Sequence, residues 1–340
     1  HIPMKRALYQ LKAGSLKNMK LIEEELSPAG PQEVSVQVKA VGLNFADVFA
    51  IWGLYKDTPP GLFTPGLEYA GEIVAVGSEV TSVKVGDHVM GVTRFGAYAT
   101  HLNIDHRYVI PLPEGWTHEE GAAYLVQVLT AYYGLQELGA IKEKQTVLVH
   151  SAAGGVGIWS NRIAKAFNCF TIGTVGNQRK VQFCKEEGYD KVIVRGKDFP
   201  ERLTGALGDR PLNLVMECIG GKILTQSYEA TAPMGRVIVY GSAQYASPGN
   251  RPNLFRMIPL YLSRPKLDPQ NMTSENKSVM AFNLIFLFEH AEIMHKILTE
   301  LQPLKLGKPY VGHVFPFQEL PAAIKLFQTG KTMGKIVIQP

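Results

Sequence analysis

A chain of 340 residues, 46% hydrophobic and 19% charged, is large enough for two domains with sizeable cores and excludes a disordered or fibrous protein. Its 35 Lys and Arg against 30 Asp and Glu leave a net charge of +5 with no basic run long enough for a nucleic-acid arm, so nucleic acid is not an expected partner. Cys169, Cys184 and Cys218 are odd in number and far apart, which argues against a disulfide framework and for a reducing compartment. No apolar run reaches the roughly 20 residues of a membrane span, and the first residues lack a signal-peptide pattern. His1, Ile2 and Pro3, ahead of Met4, read as the remnant of an expression tag. A cytoplasmic protein without an integral membrane segment is the expectation.

From Arg6 to Tyr108 the pattern is strand-rich. Val34 to Val41 alternates apolar and polar residues with period two, the mark of a half-buried strand. Gly71 to Gly77 and Asp87 to Gly91 are short apolar segments bounded by turn residues, and such strands suggest an irregular, barrel-like β domain. A helical stretch is predicted over about Thr117 to Gly139. Strand–helix units follow, with strands predicted at Val147 to His150, Phe170 to Val175, Lys191 to Val194, Leu212 to Ile219 and Arg236 to Gly241. That alternation implies a parallel, doubly wound sheet. A sixth strand is expected near Ser278 to Asn283 and a helix from about Phe288 to Leu301. Tyr310 to Pro340 reads strand, helix, strand, its helix opening near Glu319-Leu320-Pro321, where proline suits a first turn.

The organising stretch is Val147 to Gly157, Val-Leu-Val-His-Ser-Ala-Ala-Gly-Gly-Val-Gly. A short strand, a turn of small residues and a helix from about Ile158 form the context of a dinucleotide fingerprint. Gly154 lets the backbone approach a pyrophosphate, and Gly157 lets the helix pack close to the strand. The helix N-terminus then turns its N–H groups and positive dipole end toward the phosphates. Ala152 stands where the first glycine usually is. An NAD site carries an Asp or Glu about twenty residues past the turn. Here Thr174 to Lys180 contains no acid, and Arg179 and Lys180 suit a 2′-phosphate instead.

With these residues in hand the chain resembles the zinc-free, zeta-crystallin-like quinone oxidoreductase branch of the medium-chain dehydrogenase/reductases. The motifs that carry the resemblance run the length of the chain. They are Gly42-Leu43-Asn44-Phe45-Ala46-Asp47, Gly53-Leu54-Tyr55, Pro65 to Gly71, Gly86-Asp87-His88-Val89, the glycine turn and Gly334-Lys335-Ile336-Val337. Pro233 to Val237, Tyr240-Gly241 and Val314 to Phe317 resemble the vesicle amine transport protein-like members in particular. The implied fold is α/β: a Rossmann doubly wound parallel sheet (residues 126–304) inserted into a GroES-like irregular β-barrel catalytic domain (residues 4–125 plus 305–340). The implied cofactor is NADP(H). In the family, the residue matching Lys180 contacts the 2′-phosphate. Arg195 replaces a tyrosine that often follows the next strand, and adds a second cation or leaves a contact missing.

The resemblance also implies the rest of the site. Ala153, Gly154, Gly155, Val156, Gly157, Gly176, Ile219, Tyr240, Gly241, Ser242, Thr130 and Phe282 would line the cofactor, with Asn44 and Tyr55 beside the nicotinamide. Lys335, and less surely Lys331, would reach the cofactor or stay as solvated charges. Asn44 would bond the ribose or a substrate oxygen, and Tyr55 would donate to a developing oxyanion. Phe49 stands where many relatives have tyrosine. Zinc dehydrogenases of the wider family use a cysteine and a Gly-His-Glu segment, but here Asn44 and Leu67 occupy those places and only Glu68 remains. His88, His101 and His106 read as scattered surface residues. No metal is therefore expected, and hydride transfer then requires an electron-poor acceptor, a quinone or an enone. The other implied reading is a cofactor-binding protein of interaction or membrane trafficking, of the vesicle amine transport protein-like type. Finally, the run Val279 to Phe288 is too short to span a bilayer and has little basic flank for a surface anchor. As an unpaired sheet edge it predicts a homodimer in which residues near Ser278 to Leu284 approach their symmetry mates.

Overall fold

Val34, Val36 and Val38 lie on one face of the strand Glu33–Gly42 and are buried, as the alternation predicts. In the computed structural model, which describes residues 3–340 apart from the side chain of Phe286, the chain divides into two compact units. His1 and Ile2, read above as part of a tag remnant, lie outside the described residues. The first unit takes the chain up to Val126, Ser247–Pro252 and Lys308–Pro340. Its larger sheet runs Val311–Pro316, Lys335–Gln339, Glu33–Gly42, Glu68–Val76, His88–Val92, Val109–Pro111, and His101–Asp105 also pairs with Glu33–Gly42. Register shifts at Ser35/Val36 and Val38/Ala40 bend the central pair, the local distortion expected where a sheet curls toward a barrel. The last strand pairs Val337 with Gly42 and Ile338 with Val41. It thereby delivers Lys335 to the end of Glu33–Gly42, where Asn44 opens the helix Phe45–Trp52.

The second unit, Gln127–Ala246 and Asn253–Gly307, holds a six-stranded parallel sheet. Its order is Lys191–Val194, Phe170–Val175, Thr146–Val149, Leu214–Glu217, Arg236–Val239, Ser278–Ala281. Successive strands run outward on both sides of Thr146–Val149, so the topological switch lies beside the first strand of the unit. Leu148, Ile172, Phe199, Leu203, Val215 and Val237 form its core. The four inner strands are short, largely apolar runs because both faces are covered.

Several boundaries move. The helix after the glycine turn begins at Gly155, not Ile158, because Gly154 is the extended N-cap and the next residue is already helical. The stretch over 117–139 splits into His118–Gly121, Leu125–Tyr132 and the π-helical turn Tyr133–Leu138. The sixth strand ends at Ala281, a 3₁₀ turn Leu284–Leu287 follows, and the next helix starts at Ala291. Among the described residues no helix is long and apolar enough to cross a membrane.

Candidate functional site

In the first unit Glu68 is held by donors from Lys335, Asn44 and Val126. Lys335 Nζ pairs with its Oε1 at 2.5 Å, Asn44 Nδ2 donates to the same oxygen at 3.1 Å, and the Val126 N–H donates to Oε2 at 3.2 Å. Lys335 Nζ also donates to Asn44 Oδ1 at 2.9 Å. The Lys335 and Glu68 side chains are 5% and 1% exposed. Lys335 is therefore no solvated charge, whereas Lys331 is exposed. A buried carboxylate persists only with a partner charge and satisfied oxygens, and the pair supplies both. Burial pulls the Lys335 ammonium down from its usual range, while Glu68 and then Asp47 pull it back up.

Asp47, one turn into the helix, accepts from the Asn44 N–H at 3.0 Å and from the Tyr98 hydroxyl at 2.8 Å, both on Oδ2. It is fully buried, and desolvation pushes its carboxyl up to about 7. Tyr55 follows the helix; its N–H donates to the Phe49 carbonyl at 3.2 Å and its half-buried ring packs edge-on against Phe95. Among the described residues no group of three or more His, Cys, Asp or Glu could hold a metal ion. His88, His101 and His106 do not converge. His88 Nδ1 instead lies 3.0 Å from His118 Nε2 on the exposed surface, a pairing absent from the sequence reading because it joins a strand start to a helix start.

In the second unit the fingerprint turn is built as its sequence requires. Ser151 takes a left-handed φ of 52°, the Ala152 N–H donates to the Thr174 carbonyl, and the Gly154 N–H to the Ser151 carbonyl. A Cβ on Gly157 would collide with the Ser151 carbonyl and stand 2.9 Å from the Ala152 backbone, so this glycine sets the close approach of helix to turn. Ala152 is tolerated in the first glycine position because Gly173, on the neighbouring strand, has no side chain; a Cβ there would lie 2.7 Å from that of Ala152. Tyr189 locks the turn from outside, donating to the carbonyl of Gly157 at 2.8 Å.

The other predicted cofactor residues cluster past the carboxyl ends of the same sheet. The Ile219 N–H donates to buried Glu217 Oε1 at 2.9 Å, and the Tyr240 N–H to the Glu217 carbonyl at 3.0 Å. Gly241 and Ser242 continue from Tyr240, and the Phe282 ring lies 6.4 Å from that of Tyr240 and 4.9 Å from that of Tyr133. Thr130 is buried on Leu125–Tyr132. A Cβ on Gly176 would lie 3.4 Å from Arg195 Nη2, so Arg195 sits over the loop that carries Gly176. Arg195 Nη1 donates to Thr174 Oγ1 at 2.8 Å. Lys180 is close enough to Arg195 that, after burial, the guanidinium lowers its pKa.

The sequence reading missed Glu217, Asp47 with Tyr98, and a buried chain through His150. His150 Nδ1 is 2.7 Å from Thr174 Oγ1 and its Nε2 is 2.8 Å from Ser227 Oγ, all three residues having no exposure. A polar residue closing an otherwise apolar strand was the only signal for it.

Residues 155–281 match a family model described as a zinc-binding dehydrogenase, and residues 30–114 one described as an alcohol dehydrogenase GroES-like domain. A synaptic vesicle membrane protein VAT-1 homolog from Rattus norvegicus is 32% identical over 99% of this chain and 85% of its own length. A quinone oxidoreductase from Pseudomonas aeruginosa is 34% identical over 79% of this chain and 83% of its own. Among solved structures, Escherichia coli quinone oxidoreductase complexed with NADPH aligns with a TM-score of 0.85 at 26% identity, covering 99% of this chain and 100% of that one. The parallel dinucleotide sheet, the GroES-like β unit and these matches place the chain in the medium-chain dehydrogenase/reductase family of oxidoreductases, within its quinone oxidoreductase branch alongside the VAT-1 homologues.

Proposed function

We propose that the chain is an NADPH-dependent reductase that passes hydride to a quinone or a conjugated carbonyl without zinc. The observation that carries this reading is the Lys335 ammonium, bound to both Glu68 and Asn44. By the family resemblance, these are the places from which zinc dehydrogenases draw metal ligands. A resident cation already neutralises the carboxylate, and neither the Asn44 amide nor Leu67 replaces a thiolate or an imidazole. Without a Lewis acid, the acceptor itself must be electron-poor.

The residues present fit NADPH. The close-packed turn leaves a cradle at Gly154 to Gly157 with helix N–H groups at its edge, and the stretch Thr174 to Lys180 carries Arg179 and Lys180 but no Asp or Glu to repel a 2′-phosphate. The reduced nicotinamide, when bound, supplies the hydride. Asn44, fixed by Lys335 and Glu68, orients a ribose or substrate oxygen. Tyr55 donates to the oxygen on which charge develops. Ile219, Tyr240, Gly241, Ser242, Thr130 and Phe282 hold the cofactor in place. A small-molecule quinone or enone is the partner.

The trafficking alternative has one observation on its side. The helix Leu254–Leu262 exposes Leu254, Phe255, Ile258, Tyr261 and Leu262, and Phe255 is 96% exposed. The intact cofactor turn favours the enzyme. NADPH oxidation followed with 1,2-naphthoquinone, 1,4-benzoquinone and an alkenal tests the choice. Turnover that survives a zinc chelator is expected. NADPH binding with no turnover across that panel moves the reading to the alternative, and loss of turnover with the chelator refutes zinc independence.

A further inference from the structure

The Arg195 guanidinium is held from behind. Its Nη1 reaches Thr174 Oγ1, and Thr174 is in turn bonded to His150, which is bonded to Ser227. A guanidinium only donates, so Thr174 Oγ1 accepts from Arg195. The threonine's single hydrogen then goes to His150 Nδ1, which leaves the imidazole hydrogen on Nε2 to donate to Ser227 Oγ. That assignment gives each of the three bonds one donor and one acceptor. The imidazole stays neutral: burial and the nearby Arg195 charge pull His150 down to about 3. The same Thr174 receives the Ala152 N–H on its carbonyl, so one residue ties the glycine turn to the arginine.

The front of the guanidinium faces a different environment. Arg195 lies over Gly176, where a Cβ would stand 3.4 Å from Nη2, and Lys180 is near enough to feel its charge. Two cations brought together from the ends of neighbouring strands repel, and an anion between them removes that cost. A free arginine side chain has much rotamer freedom to lose; one already fixed by Thr174 loses less when it meets a phosphate.

We propose that Thr174 and His150 are positioning residues: through Ser227–His150–Thr174 they fix the Arg195 guanidinium beside Gly176 and so set this chain's preference for a 2′-phosphorylated adenosine. The proposal rests on the NADPH reading above. It differs from that reading in placing the discrimination partly in buried residues that touch no ligand.

Titration calorimetry of the full chain with adenosine 2′,5′-bisphosphate and with adenosine 5′-monophosphate tests it, since neither probe requires turnover. The wild type should prefer the bisphosphate, and Arg195→Ala should lower that preference roughly tenfold, the order of one charge-assisted hydrogen bond. Thr174→Val should lower it about three- to tenfold with monophosphate affinity unchanged, and Thr174→Ser should restore it, by the same measure. Should the valine variant fail to fold, Ser227→Ala at the far end of the chain is read in the same assay, with a fall of about threefold expected. A wild type without preference sinks the NADPH reading, and the proposal with it. Loss of preference in Arg195→Ala together with full preference in Thr174→Val and Ser227→Ala leaves NADPH standing and overturns the relay. An equal loss for both nucleotides in Thr174→Val, signifying mere structural damage, also overturns it.

Discussion

Asp47 and His150, each fully buried and one in each unit, carry opposite pH dependences. Asp47 sits at about 7, well above a carboxyl in an unfolded chain, so the folded state keeps its proton longer than the unfolded state. Its effect is nil at low pH, and stability falls as pH rises from about 4 to about 7, by roughly 4 kcal/mol at most. His150 sits at about 3, below an unfolded histidine, so the unfolded state takes the proton first and stability falls as pH drops from about 6.5 toward 3. Between about 4 and 6.5 the two slopes oppose and largely cancel. Asp47→Asn should therefore make the acid-side fall in melting temperature steeper. His150→Phe should turn it into a rise as pH is lowered over the same window. Unchanged slopes in both variants, read by circular dichroism, would show that the two groups do not set the profile. None of this was legible beforehand. Asp47 stood in a recognised motif, but its burial depends on Tyr98, far along the chain. The Lys335–Glu68 pair joins two ends of the sequence that no local pattern connects.

Elements were more legible than residues, for a physical reason. Phe170–Val175 and Lys191–Val194 emerge with the boundaries predicted: the first is a buried strand that writes its apolar run directly into the chain, and the second, at the sheet edge, keeps a β-branched Val-Ile-Val run after its exposed Lys191. Helix starts shifted because glycine and small residues carry weak propensity, and cap geometry decided the outcome at Gly154. The helix Leu254–Leu262 was not identified at all: its apolar stripe follows helical spacing but faces outward, whereas burial is the usual cue. Two glycines in helices make the contrast between necessity and chance measurable. Gly157→Ala drives a methyl into the Ser151 carbonyl and must displace the turn, so NADPH affinity should fall about tenfold or more, the loss of at least one good phosphate contact. Gly205, inside Phe199–Leu207, would place its methyl with nothing within 4 Å, so Gly205→Ala should stabilise the second unit by about 0.5–1 kcal/mol and leave NADPH binding alone. Wild-type affinity in Gly157→Ala would remove the close-approach argument.

At the scale of the whole molecule strand-rich sequence at both ends flanks the strand–helix repeats in the middle, but the expected second domain of residues 126–304 is broken: Ser247–Pro252 groups with the first unit, a return that no pattern in that short segment announces. What the chain does with the open end of its parallel sheet was less legible. Ser278–Ala281 is the terminal strand in that sheet, paired only with Arg236–Val239 among the described strands. The Ser278 N–H donates to the Gly235 carbonyl and the Phe282 N–H to the Val239 carbonyl, so these alternate residues face inward. By the period of two, the backbone N–H groups of Val279 and Ala281 face outward, where a second strand can take them. We propose a homodimer in which these edges meet across a twofold axis, an isologous contact that closes on itself and leaves no edge to propagate. The side chains constrain the test. Val279 packs against the core of its own unit, so a charge there would report unfolding as well as dissociation. Ala281 is exposed, and Ala281→Pro removes only an outward N–H while the residue before it is already extended. Light scattering at micromolar concentration should give a dimer for the wild type and a monomer for Ala281→Pro, with the melting temperature of the variant close to that of a diluted wild type. A monomeric wild type, or a proline variant that keeps the dimer mass, would mean that the edge is left unpaired by a second copy and that the charged and exposed residues Lys277, Ser278 and Ala281 guard it alone.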